Sequence, residues 1–176
     1  MHSGIHRAAG LSERELRLLQ AGAIFHDLGK ISVRRSVLMK AGKLTAEEYD
    51  HVKTHASIGA QLLYPIEELR DAVPIIISHH ERFDGGGYPY GIRATNISLG
   101  ARITSIVDAF DAMTSDRPYR AAMPVPDAIS RLCECAGSQF DPDLVNLFLS
   151  VAEANHLESS ATWCLKTNSN RPSSPL

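Results

Sequence analysis

Hydrophobic positions recur along most of this chain at three- and four-residue spacing, the period of helices buried on one face. Ser12 and Glu15 form an S-x-x-E capping box, and the stripe Leu16, Leu19, Ala23, His26 predicts a first helix that Gly29 ends. Residues 30–44 read as a loop around the turn-like Lys40-Ala41-Gly42-Lys43. Thr45 and Glu48 make a second capping box, and Val52, His55, Gly59 and Leu62 share one face of the helix they open. A third helix of about ten residues follows Asp71, with Pro74 in its first turn and Val73, Ile76, Ile77 and His80 on its stripe. Residues 81–97 form a loop in which Gly85, Gly86 and Gly87 permit backbone geometries closed to other residues and Pro89 stiffens the exit. Ser98 opens a fourth helix with core positions Ile103, Ile106, Val107, Phe110 and Met113, flanked by the polar stripe Thr104, Asp108, Asp111 and Ser115. Two more helices are expected, from Val125 to about Ala136 and from Asp141, an N-cap before Pro142, to about Asn155. The expectation is an all-α fold with one domain over residues 1–158 and a flexible Ser-, Asn- and Pro-rich tail over 159–176.

Composition narrows the classes. The 176 residues are 44% hydrophobic and 22% charged, ordinary values for a globular domain able to bury a core. A formal charge of −2 gives no basic footprint for a nucleic-acid polymer. No apolar run has membrane-spanning length, and the first residues lack a signal-peptide core, so a cytoplasmic protein is expected. Cys133, Cys135 and Cys164 have neither CxxC nor metal-knuckle spacing and read as thiols of a reducing compartment.

The polar residues on the inner stripes carry the chemistry. His26-Asp27, His55, His79-His80 and Asp108 fall at the ends or on the inner faces of successive predicted helices. A single His-Asp pair is weak evidence, and a polar stripe on a helix ordinarily faces solvent. Imidazole and carboxylate donors repeated on four helices are hard to explain as packing. Without thiolates, this is the donor set of a hydrolytic centre holding Mn or non-haem Fe, with Zn, Co and Ni as alternatives.

These residues lie in segments that resemble the HD-GYP subgroup of the HD phosphohydrolases: HDLGK at 26–30, His55 within KTHASIGAQLL, HHERFDGGGYPYG at 79–91, VDAFDAMTSDRPYR at 107–120 and FDP at 140–142. The resemblance implies an all-helical HD-type domain with a Gly-rich GYP loop and a centre of two or three metal ions. It further implies phosphodiesterase activity on cyclic di-GMP, giving pGpG and/or GMP. On the matching positions, His26, Asp27, His55, His79, His80 and Asp108 are the implied metal ligands. Lys30 matches the lysine that meets substrate phosphate, and Arg117 and Arg120 match basic positions that contact the dinucleotide. The family often has lysine where Arg120 stands, which keeps the charge and changes its geometry. Tyr88 in the GYP loop stacks on substrate or packs against the protein.

The family also begins with a helix that carries a Glu and a His before the HD dipeptide. Only 25 residues precede His26 here, so that helix is expected to be truncated. His2 and His6 fall too late to replace those ligands and read as terminal bystanders.

A phosphodiester is anionic and repels hydroxide, so its hydrolysis calls for metal ions. Two ions about 3.5–4 Å apart can share a water, lower its pKa and direct it at phosphorus. Asp27, with two oxygens, suits the bridge; His55, His79 and His80 would cap one ion, and His26 and Asp108 the other. Lys30 would offset charge on the phosphoryl oxygens. Two divalent ions, Fe or Mn, are the expected cofactors. Two other readings remain: a catalytically weak cyclic di-GMP receptor or GYP-loop docking module for diguanylate cyclases, and an HD hydrolase of another nucleotide.

Overall fold

Both capping boxes form, and each starts a helix on which the site depends. The computed structural model of the protein describes residues 10–116 and 121–154. The Ser12 hydroxyl accepts from Glu15 N–H while the Glu15 carboxylate accepts from Ser12 N–H, opening α1 (Glu13–Phe25). Thr45 and Glu48 repeat the exchange before the longest helix, α3 (Ala46–Leu63). Between them lie a 3₁₀ turn, Leu28–Ser32, and a single helical turn, α2 (Arg35–Leu38). The segment expected to be loop is therefore partly helical, pinned by buried Val33 and Val37.

The remaining helices are α4 (Val73–Ser78), α5 (Leu99–Thr114), α6 (Val125–Glu134) and α7 (Pro142–Ala154). No β-strand occurs among the described residues. Helix α4 is shorter than the sequence pattern predicts: it starts at Val73, directly after a 3₁₀ turn over Glu67–Ala72, but ends at Ser78, before His79 and His80. Ser98 caps α5 through Ala101 N–H, and Asp141 caps α7 by accepting from Asp143 and Leu144 N–H.

Two groups of side chains hold the fold. Leu19 of α1, Ile103, Ile106, Val107 and Phe110 of α5, Ala128, Ile129 and Leu132 of α6, and Val145, Phe148 and Leu149 of α7 form one buried cluster. Phe110 and Phe148 meet at its centre with ring centroids 5.0 Å apart. On the other side, α3 packs against α4 and the Leu28–Ser32 turn, burying Ala56, Ala60, Leu63, Ile75 and Ile76. The expected face of α3 is off by one position at its end. Leu63 is buried at 3% exposure and Leu62 is 48% exposed, because the buried stripe is centred between His55 and Ala56.

Cys135 is a free, half-buried thiol, whereas Cys133, expected to be a thiol, is disulfide-bonded. The expected tail from 159, His2, His6, Cys164, Arg117 and Arg120 all lie outside the described residues.

Candidate metal centre

Each site residue comes from the end of a helix or from its inward face. His26 is the C-cap of α1, and Asp27 follows as the chain enters the Leu28–Ser32 turn. Gly29 does not end the helix, as the sequence pattern suggested. It lies against α3, where an added Cβ would stand 1.9 Å from the His55 carbonyl oxygen and 2.6 Å from Gly59 N. That approach sets Asp27 beside His55. Helix α4 ends at Ser78, so His79 and His80 leave it together, and Asp108 sits midway along α5.

The structure brings all six expected ligands together. One donor atom each from Asp27, His55, His79 and His80 lie within 4.8 Å of one another. Asp27 presents its two oxygens in two directions: Oδ1 lies 3.5 Å from His55 Nε2, and Oδ2 lies 3.4 Å from His26 Nε2. His26 Nε2 is also 3.6 Å from Asp108 Oδ1. His55 and His79 are fully buried, while the side chains of Asp27 (38%) and Asp108 (35%) remain open to solvent. The centre thus has a closed imidazole wall and an open carboxylate side.

Hydrogen bonds fix the ring orientations. His26, His55 and His79 donate Nδ1–H to Ala23 O, Val52 O and Ile76 O at 2.8, 2.6 and 2.6 Å. A carbonyl accepts only, so each Nδ1 carries the proton and a neutral ring then offers its Nε2 lone pair to the centre. His55 Nε2 and His79 Nε2 face each other at 3.4 Å, beside Asp27 Oδ1. Two lone pairs and a carboxylate oxygen converge with no donor of their own between them. A divalent cation fits that set.

Electrostatics separate the histidines. Burial drives His79 down to about 4 and His80 to about 3, and lowers His55 as well, so these rings are neutral at ordinary pH. Burial also acts on His26, but hydrogen bonds to Asp108 and Asp27 outweigh it and raise it to about 10. Asp27 is pushed upward by burial, yet its bonds to His26 and Lys30 hold the carboxyl well below the usual range. The hydrogen bond from His26 likewise lowers Asp108.

Lys30 donates Nζ–H to Asp27 Oδ2 at 2.5 Å, a bond the sequence did not suggest. Its side chain is 41% exposed, on the open side of the centre. Tyr88 is half-buried, with its ring 4.9 Å from the His80 ring and 6.5 Å from that of Tyr49. Burial raises its phenol above the ordinary tyrosine range. Two further residues escaped the sequence reading. Tyr49 packs its edge on Tyr88 from the first turn of α3, and Glu81, placed in a loop, is buried at 4%. Periodicity carries no signal for a buried acid directly after two histidines.

The GYP segment is a built structure. Asp84 binds Arg82 through both carboxylate oxygens, at 3.1 and 2.6 Å, and accepts from Gly86 N–H. Phe83 and Asp84 N–H groups bond to Gln139 and Ser138 carbonyls, tying the loop to the α6–α7 connection. Of the three consecutive glycines only Gly85 takes a positive φ (+88°).

The chain belongs to the HD-domain family, whose family model, described as HD domain, matches residues 3–144. Within that family its likeness is to HD-GYP proteins, as the GYP block suggested. It is 42% identical over 142 residues to the cyclic di-GMP phosphodiesterase response regulator RpfG of Xanthomonas campestris, covering 80% of this chain and 38% of that protein. It is 37% identical over 139 residues to a 3'3'-cGAMP-specific phosphodiesterase of Vibrio cholerae, covering 79% of this chain and 30% of the relative. Among solved structures, Bd1817, a HDG"Y"P protein from Bdellovibrio bacteriovorus, superposes with a TM-score of 0.68 at 19% identity. That match covers 86% of this chain and 49% of Bd1817, and it shows the shared fold. The chain spans well under half the length of the two phosphodiesterases it matches.

Proposed function

We propose that this chain is the catalytic domain of a metal-dependent phosphodiesterase that hydrolyses cyclic di-GMP to pGpG and/or GMP, lowering second-messenger signalling in the cytoplasm. The observation that carries the reading is the convergence of Asp27 with the inward-facing Nε2 atoms of His55 and His79. In this reading His55, His79 and His80 would hold one ion and His26 and Asp108 a second, with Asp27 a ligand they would share. The all-N/O donors suit Fe or Mn. When bound, such ions supply Lewis acidity toward water and the phosphoryl oxygens.

The chain's own residues do the rest. Buried His55 and His79 close one side to solvent, and the partly exposed carboxylates leave the other open to substrate. Lys30 turns from Asp27 Oδ2 toward the anionic phosphoryl group and offsets its charge. Arg117 and Arg120, by their match to the family's basic positions, are assigned to contacts with the dinucleotide, and Tyr88 borders the site from the GYP loop. In the overall reaction water adds to phosphorus and one P–O bond to ribose breaks. The departing ribose oxygen takes up a proton, giving the linear dinucleotide.

The test is direct. Purified protein reconstituted anaerobically with Fe or Mn is incubated with cyclic di-GMP, 3'3'-cGAMP and a dNTP, and products are resolved by chromatography. Conversion of cyclic di-GMP ahead of the others supports the proposal. Preference for cGAMP would move the assignment to the substrate named for the Vibrio relative, and preference for the dNTP would overturn it. A second reading, a receptor that docks diguanylate cyclase domains, draws on exposed Tyr90 (64%) in the GYP segment. It would replace the first if metal-loaded protein bound cyclic di-GMP without converting it.

A further inference from the structure

We infer that Tyr88 is the positioning residue for His80, held in place by a clasp between the Glu81 carboxylate and the backbone of Tyr90. The inference rests on the proposal above in taking His80 as a metal ligand. The other three candidate ligand histidines, His26, His55 and His79, are oriented by an Nδ1–H bond to the carbonyl three residues back. His80 makes no ring hydrogen bond among the described residues. It is surrounded by rings: His79 at 3.9 Å, Tyr88 at 4.9 Å with planes 31° apart, and His55 edge-on at 5.0 Å. His55 and His79 are candidate ligands themselves, so among the described residues Tyr88 is the one ring outside that set packed on His80. A ligand ring needs an outer partner to hold its angle. Here ring packing takes the place of the hydrogen bond.

Tyr88 is itself tightly placed. Its N–H donates to His80 O at 3.3 Å. A Cβ on the preceding Gly87 would stand 2.3 Å from Arg82 N, 2.5 Å from Glu81 Cα and 2.6 Å from His80 O. The loop therefore folds directly back over residues 80–82, an approach that glycine alone permits. Glu81 Oε1 accepts from Tyr90 N–H at 2.7 Å and closes the fold-back on its far side. Its Oε2 is buried without a partner among the described residues. A carboxylate in such a place is costly to desolvate, and stability alone gives little reason for it. Holding the GYP loop against His80 gives it one. The edge of Tyr49, 6.5 Å away, supports Tyr88 from α3.

The experiment measures Mn²⁺ affinity of the full chain by titration, with free Mn²⁺ followed by electron paramagnetic resonance and thermal melting recorded in parallel. Tyr88→Leu should weaken binding by about 10–100-fold, the range for loss of an outer partner of a metal ligand, while Tyr88→Phe stays near wild type. Glu81→Ala should behave like Tyr88→Leu, and Glu81→Gln, whose side-chain carbonyl can still accept from Tyr90 N–H, should restore most of the affinity. In a His80→Ala background, Tyr88→Leu should have no further effect, because its influence passes through His80. Wild-type affinity in Tyr88→Leu, or an equal loss with and without His80, overturns the inference. If Tyr88→Leu does not fold, the Glu81 pair decides, and equal affinities of Glu81→Ala and Glu81→Gln overturn it. A wild-type chain that binds no Mn²⁺ overturns it too. Hydrolysis is not the readout, so a chain that binds Mn²⁺ but leaves cyclic di-GMP intact fails the functional proposal alone.

Discussion

Gly29 lies beneath the His55 carbonyl so closely that a methyl group there would stand 1.9 Å from that oxygen. The contact joins the turn that carries Asp27 and Lys30 to the helix that carries His55. Neither partner side chain makes it: glycine contributes only its lack of one. The HD dipeptide is useful because the chain two residues later can touch α3.

Gly29→Ala should therefore damage the centre from outside it. The obstructing atoms are backbone, so the turn must move away from α3 and carry Asp27 with it. Overpacking of this kind costs about 1–3 kcal/mol or more. A lower melting temperature together with reduced Mn²⁺ binding is expected. Normal metal binding in Gly29→Ala would mean that the turn relaxes without displacing Asp27.

A second prediction concerns stability alone. Asp141 accepts from Asp143 N–H through Oδ1 and pairs with Arg102 through Oδ2, with side-chain exposures of 6% and 15% for the acid and the arginine. Asp141→Ala removes the α7 cap and leaves the Arg102 charge buried and unpaired, a loss of about 3–5 kcal/mol. Asp141→Asn keeps an acceptor for the cap and should lose less. Urea denaturation of the three proteins gives the order, and equal stability of wild type and Asp141→Ala would refute it.

The helical fold and the gathering of the candidate ligands were legible because both depend on local pattern. Ser12-Glu15 and Thr45-Glu48 announce helix starts through bonds that span three residues, and both boxes form. His55 showed its burial by its place among Val52, Gly59 and their neighbours. What escaped depends on contacts between distant segments. The single-turn α2, with Val37 buried, and the early end of α4 at Ser78 depend on packing between segments, for which the stripe of apolar residues has no distinct period. Leu63 in place of Leu62 reflects where α4 and the Leu28–Ser32 turn press on α3. Glu81 buried at 4% and Lys30 bound to Asp27 are consequences of the assembled site, and no spacing in the chain encodes them.

Metal binding should depend steeply on Asp27. Its two oxygens face His55 on one side and His26 on the other. Asp27→Ala should take metal content from up to two ions per chain to one or none and abolish hydrolysis. Asp27→Asn, similar in shape but without the charge, should bind metal poorly as well. Elemental analysis after anaerobic reconstitution checks both. Wild-type stoichiometry in Asp27→Ala would remove it from the ligand set.

The last prediction separates Lys30 from the ligands and from Arg117. Lys30 shares Asp27 Oδ2 with His26, at 2.5 Å and 3.4 Å. Removing its ammonium frees that oxygen, so Lys30→Ala should keep metal content at or above the wild-type level. Its rate should nevertheless fall about 100-fold, as when one group that stabilises transition-state charge is lost. The loss should be similar for cyclic di-GMP and for a small generic phosphodiester, because Lys30 serves the reacting phosphate itself. Arg117→Ala should differ: a contact with the far part of the dinucleotide weakens cyclic di-GMP turnover while sparing the small substrate. Measuring both substrates on both variants, with metal content recorded, sets the two roles against each other. Metal loss in Lys30→Ala would mean that its bond to Asp27 supports the centre. Equal losses on both substrates in Arg117→Ala would mean that this arginine reads nothing specific to the dinucleotide.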